Sequence, residues 1–182
     1  MLKALAIIVA LLVLAVIVVL VIAMQKPDTF RVQRSIGIKA PPDKIAPFIN
    51  DFKNWPAWSP YEKKDPAMQR TMGNITAGAA PAGQGATYEW SGDKNVGHGR
   101  MEILESQPEK IVIKLDFYSP FEGHNTAEFT LVGKGAETEL TWAMFGPAPL
   151  MNKIMSTVMN LDKMIGGDFE VGLANLKALA EK

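Results

Sequence analysis

The 182-residue chain contains no cysteine. Disulfides, thiolate nucleophiles and cysteine-ligated metals are thereby excluded, and either redox compartment is compatible with the sequence. Histidine is scarce: His98 and His124 are the only two, too few for a typical zinc site without carboxylate help. Net charge is also missing. The 19 Lys and Arg balance 19 Asp and Glu, which removes the electrostatic case for nucleic acid. No G-x-S-x-G elbow, H-E-x-x-H pair, phosphate-binding loop or paired-carboxylate spacing occurs. The sequence therefore gives no catalytic residue, no metal ligand and no cofactor to expect.

What is present begins with one long apolar run. Ala4 to Met24, 21 residues, holds no polar or charged side chain and neither Pro nor Gly. As a helix it would span roughly 30 Å, about the thickness of a bilayer core. It is apolar all round, whereas a helix on a soluble protein shows a polar face. The run exceeds the roughly 7–15-residue core of a cleaved signal peptide, which favours an uncleaved anchor. The small residue Ala23 leaves cleavage as the alternative. Residues 1–24 are read as a transmembrane anchor or uncleaved signal, 25–29 as a linker and 30–182 as one domain. Two signals for orientation oppose each other. Lys26, Arg31 and Arg34 outnumber Lys3, and a positive-inside count puts the domain in the cytoplasm. The three-residue head resembles a bacterial signal anchor, which puts the domain outside. The second reading is carried forward: a single pass in a bacterial-type inner membrane, with the domain on the extracytoplasmic side.

Beyond the linker, apolar and polar residues alternate with period two from Phe30 to Ile38, the pattern of a half-buried strand. Ala40-Pro41-Pro42 ends it. Ile45, Phe48, Ile49 and Phe52 recur at helical spacing, which predicts a short helix over 42–51 that Pro47 splits. The prolines of Trp55-Pro56-Ala57-Trp58-Ser59-Pro60 predict irregular structure, with both tryptophans folded back onto the core. Short strands follow near 68–72, 86–90, 99–104, 111–117, 127–132 and 139–144, separated by turn residues, which together predict an antiparallel meander. From Leu150 to Leu179 apolar residues recur every three or four positions. This predicts one amphipathic helix of about thirty residues, bent at Gly166-Gly167.

A sheet with one apolar face must bury it, and only the last helix is long enough to cover it. At this point four motifs in order carry a resemblance. They are Ser35–Ile45, the loop Trp55–Pro60, Gly83-x-Gly85-x-x-Tyr88-x-Trp90, and the ending Asp168-Phe169-Glu170-x-Gly172-Leu173-x-x-Leu176-Lys177. From about residue 29 to 181 the chain resembles the polyketide cyclase/dehydrase-like bacterial branch of the SRPBCC (START/Bet v 1-like) superfamily. The resemblance implies an α+β helix-grip fold: a curved antiparallel sheet of about seven strands around a long C-terminal helix, enclosing a cavity. It does not fix a function, because the superfamily mixes carriers, cyclases and regulators.

Alternation along the strands points Tyr88, Trp90, Met101, Ile113, Phe117, Phe129, Trp142 and Met144 towards the helix, and these are the expected ligand-cavity residues. Trp58 joins them from the proline loop, and Met155 and Met159 from a methionine stripe on the helix. The same residues are also what a solid core would use. The flexible thioethers favour a pocket for an irregular apolar guest. His124 is the candidate polar contact at the mouth, with Asp116 and Glu122 near it across a hairpin; the alternative is a solvated strand-end histidine. Lys44, Lys53, Lys63 and Lys64 interleave with Asp43, Asp51, Glu62 and Asp65 and read as ordinary surface. Ser59, with no histidine near it in sequence, reads as structural.

The expected function is a membrane-anchored, non-enzymatic binding protein for a small hydrophobic or lipid-like molecule. Its expected partners are that molecule and the membrane, through residues 4–24; no nucleic acid is expected, and the sequence identifies no protein partner. Two alternatives stand beside it. One is a polyketide cyclase/dehydratase-like enzyme in which Tyr88 or His124 polarises a carbonyl. The other is a partner-binding scaffold or sensor with a filled core and exposed Trp55 and Trp58.

Overall fold

The apolar run forms a single helix, α1 (Leu2–Met24), in the computed structural model, which describes residues 2–182. Its side chains are exposed along nearly the whole length and only Ala23, at its C-terminal end, is buried. Strand β1 (Thr29–Ile38) follows and ends as expected before the prolines. Helix α2 (Pro42–Asn50) starts on a proline, whose fixed φ suits a first turn. Pro47, the sixth residue of α2, lies inside it without splitting it, at the loss of the one bond its N–H would have given to the Asp43 carbonyl. The tryptophan loop is more regular than its prolines predict. Phe52–Ala57 forms a 3₁₀ turn, capped by the Asp51 carboxylate accepting from the Lys53 backbone N–H, and Tyr61–Lys64 forms a short helix, α3.

The strands are β2 (Gln69–Asn74), β3 (Ala86–Ser91), β4 (His98–Gln107), β5 (Lys110–Ser119), β6 (Gly123–Lys134) and β7 (Glu137–Pro147). With β1 they make one seven-stranded antiparallel sheet in the order β1-β7-β6-β5-β4-β3-β2. The meander runs β2 to β7 in sequence, and β1 closes beside the last strand, with Val32 opposite Met144. Inward residues Ile111, Ile113, Phe129, Leu131 and Leu140 are all but inaccessible, as alternation requires.

The C-terminal region departs from the expected single helix. It comprises two, α4 (Leu150–Val158) and α5 (Leu161–Ala180). The break falls at Met159-Asn160 and not at the glycines. Asn160 is an N-cap, its side-chain oxygen accepting from the Lys163 backbone N–H, and this restarts the helix in a new direction. Gly166 serves a different purpose. A Cβ there would overlap the Arg34 guanidinium, which crosses the helix to reach Asp162 (3.0 Å) and Glu170 (2.7 Å). Only α5 grips the sheet. Phe169 stacks on Trp142 with ring centroids 4.1 Å apart, and Leu173, Leu176 and Ala180 are buried below it. Leu150 and Val158, placed by helical period on the core face, and Met151, in the methionine stripe beside it, are exposed instead, because α4 turns away and packs against α1.

Candidate functional site

A cavity of about 920 Å³ lies between the sheet, α4, the start of α5 and the loops after the 3₁₀ turn and β3. Of the residues expected from alternation, Tyr88, Trp90, Met101, Phe117, Trp142, Met144 and Met159 line it. Trp58, Ile113, Phe129 and Met155 do not, and each exception has a physical reason. Trp58 and Phe129 belong to a filled aromatic layer, their rings edge-on at 6.2 Å, with Trp55 tilted against Trp58 at 4.9 Å. Ile113 is fully buried and also lies outside the cavity wall. Alternation therefore identifies the inward face, but not how far along each strand the void extends. Met155 is turned aside because α4 is a separate helix, presenting Asn152, Ser156 and Met159 to the cavity at helical spacing.

His124 does not reach the cavity. Its side chain is 62% exposed, and Nδ1 sits 2.8 Å from an Asp116 carboxylate oxygen while Nε2 lies 3.3 Å from Glu122. The Asp116 bond holds the imidazole pKa above its ordinary value. Burial pushes the Asp116 carboxyl up, but the Lys114 and His124 bonds outweigh it and hold that carboxyl low. The sign of the linkage follows. A histidine with a raised folded pKa stabilises the fold below its unfolded pKa of about 6.5, and that contribution is lost as pH rises through the folded value. The urea midpoint should therefore fall between about pH 6 and pH 8, and His124→Asn should flatten the curve over that window. An unchanged slope in His124→Asn would refute the assignment.

Two residues of the cavity's polar wall, Glu62 and Lys64, belong to the stretch of mixed charge that reads as ordinary surface in the sequence. Glu62, only 8% exposed, accepts a 2.6 Å hydrogen bond from the Tyr88 hydroxyl. Arg70 Nη2 lies 2.5 Å from the other Glu62 oxygen, close enough for an ion pair although its angle falls outside that of a hydrogen bond. Burial first, and the Glu62 bond second, raise the Tyr88 pKa well above that of a free phenol. Tyr88 is thus held in its protonated form, as a donor to Glu62. Lys64 pairs with Asp168 at 2.5 Å on the same wall, and burial raises the neighbouring Tyr61. Ser59 lines the cavity as well. Among the described residues the indole N–H of Trp142, itself a lining residue, has no hydrogen-bond partner. No sequence signal marks Glu62: the helix that turns it inward, Tyr61–Lys64, is a single turn and too short to show a period. No cluster of three or more His, Asp or Glu able to hold a metal occurs among the described residues.

Comparison with known proteins places these features in context. A family model described as "Polyketide cyclase / dehydrase and lipid transport" matches residues 29–181. No curated protein matches the chain. Among solved structures, a Thermobifida fusca protein solved by NMR is 22% identical with a TM-score of 0.60, over 82% of this chain and 92% of that one. A Chromobacterium violaceum protein is 18% identical with a TM-score of 0.56, over 86% and 99%. The di-domain aromatase/cyclase StfQ of the steffimycin biosynthetic pathway is 12% identical with a TM-score of 0.61; the match covers 84% of this chain and 51% of StfQ. At these identities the structural likeness shows the helix-grip fold alone.

Proposed function

We infer, because this chain belongs to the polyketide cyclase/dehydrase and lipid transport family, that it binds a small hydrophobic or lipid-like molecule in its cavity while α1 holds it in a membrane. The observation that carries this reading is the cavity itself. Its volume of about 920 Å³ lies within the range of ligand sites, and aromatic and thioether groups dominate its wall. A filled core is what the scaffold reading requires, and the void supports binding over it. Trp55 and Trp58, whose exposure would favour a scaffold, are buried. The anchor reading is supported by α1, whose apolar side chains are exposed along nearly its whole length, with only its C-terminal end packed against α4. A single pass through a bacterial-type inner membrane, with the domain outside the cytoplasm, is part of the same proposal.

The Glu62–Tyr88–Arg70 group favours a second reading, a cyclase-like reaction in the same cavity. In that reading the Tyr88 hydroxyl exchanges its hydrogen bond to Glu62 for one donated to a substrate carbonyl oxygen. Native mass spectrometry of the full chain, purified in mild detergent, tests the primary reading. The wild type should retain an apolar molecule. Ala127→Trp, which adds an indole to the cavity wall between Leu115, Trp142 and Met144, should weaken retention at least about tenfold. A wild-type protein that never carries a ligand, or an Ala127→Trp variant that keeps it, would overturn the binding reading.

A further inference from the structure

The rim of the cavity is built from the segment nearest the membrane helix. Lys26, two residues past α1, donates through Nζ to the Ser156 carbonyl at 2.6 Å and to its hydroxyl at 2.9 Å. Ser156 lies on α4 and lines the cavity. Asp28 pairs with Lys153 of α4 at 2.5 Å, so two linker residues pin α4 to the end of α1. Phe30, the first inward residue of β1, also lines the cavity. Five residues lie between it and Met24, and the six steps reach no more than about 22 Å at full extension. Covalent reach and side-chain pinning thus hold the cavity at the end of α1.

The exposed surface of this region is apolar. Val158, Met159 and Met164 both line the cavity and are about half exposed, so they form its lip. Leu150 and Met151, at the start of α4 and off the cavity wall, are exposed by 51% and 54%. Lys153 is the only charged residue of α4, and it is committed to Asp28. A short helix that is apolar towards solvent, joined to a membrane span, has the character of an interfacial helix.

We propose that the cavity opens onto the bilayer itself. Helix α4 lies in the membrane interface beside α1, and a bilayer-dissolved apolar molecule passes between membrane and cavity across the Val158–Met159–Met164 lip without crossing water. This rests on the binding reading above and adds the route and the source of the ligand.

The test uses the full chain in phosphatidylcholine vesicles. Doxylnonadecane, a quencher that stays in the bilayer, is added, and the rate at which tryptophan fluorescence falls is recorded; all four tryptophans lie in the domain and none in α1. In parallel, energy transfer from the tryptophans to anilinonaphthalene sulfonate added from water reports whether the cavity can be filled at all. Leu150→Asp/Met151→Asp charges the outer face of α4, and Lys26→Ala/Asp28→Ala releases α4 from the anchor. Each should slow doxylnonadecane quenching about tenfold and leave energy transfer to the water-borne probe unchanged. An unchanged quenching rate in both variants, with the water-borne probe still bound, overturns the membrane route and leaves the binding reading intact. A wild-type protein that neither probe reaches overturns both.

Discussion

Trp58→Ala is expected to destabilise the domain by about 4 kcal/mol, because it empties a place in the filled aromatic layer. The indole is fully buried, 4.9 Å from the Trp55 ring and 5.5 Å from Trp142, and its Nε1 donates to the Phe48 carbonyl at 2.7 Å. Removing it leaves a void in a layer where no neighbour can collapse, because each ring is held by the others. It also strands the Phe48 carbonyl. Against a typical total of about 5–15 kcal/mol, such a loss leaves a substantial unfolded fraction under mild denaturant. Trp58→Phe, which keeps one aromatic ring but loses the hydrogen bond and part of the indole's volume, should cost less. A urea-midpoint series on the two variants measures the difference, and a loss below about 1 kcal/mol for the alanine would mean that the layer is not rigidly packed.

The second large effect belongs to the polar wall. Arg70→Leu is expected to cost about 3 kcal/mol, because it leaves the Glu62 carboxylate in the cavity wall with the Tyr88 hydroxyl as its remaining close partner. The penalty arises from the orphaned charge and not from the lost attraction. Arg70→Leu/Glu62→Gln should therefore recover most of the stability, since a neutral amide still accepts from Tyr88. This non-additivity is the diagnostic result. If the two losses simply add, Glu62 and Arg70 are independent surface groups and the wall has no coupled ion pair.

Most of the fold could be read from the sequence because it rests on patterns of short period. Period-two alternation located the strands, and four ordered motifs joined them into a helix grip. Two features could not be read this way. The split between α4 and α5 depends on Asn160 acting as a cap, and helical periodicity from Leu150 to Leu179 runs straight across it. The depth of the cavity depends on which inward residues meet across the curved sheet, so Trp90 and Ile113 look alike in sequence yet one lines the void and the other does not. The polar wall was misread for a further reason. Glu62 and Lys64 sit in a stretch of mixed charge, and mixed charge usually indicates solvation. The short helix Tyr61–Lys64 instead turns Glu62 and Lys64 to the cavity wall.

The pairing of the first strand with the last also bears on synthesis. Val32 meets Met144 and Ile38 meets Thr138, so β1 leaves the ribosome roughly a hundred residues before its partner exists. At ordinary translation rates that interval is on the order of ten seconds, during which β1 is a nascent strand without a sheet. Helix α1, already emerged, has that whole time to reach its own environment before the domain can close. The outward residues Arg31 and Gln33 then have a second use: polar and charged side chains along an unpaired edge discourage association with other nascent chains until β7 arrives.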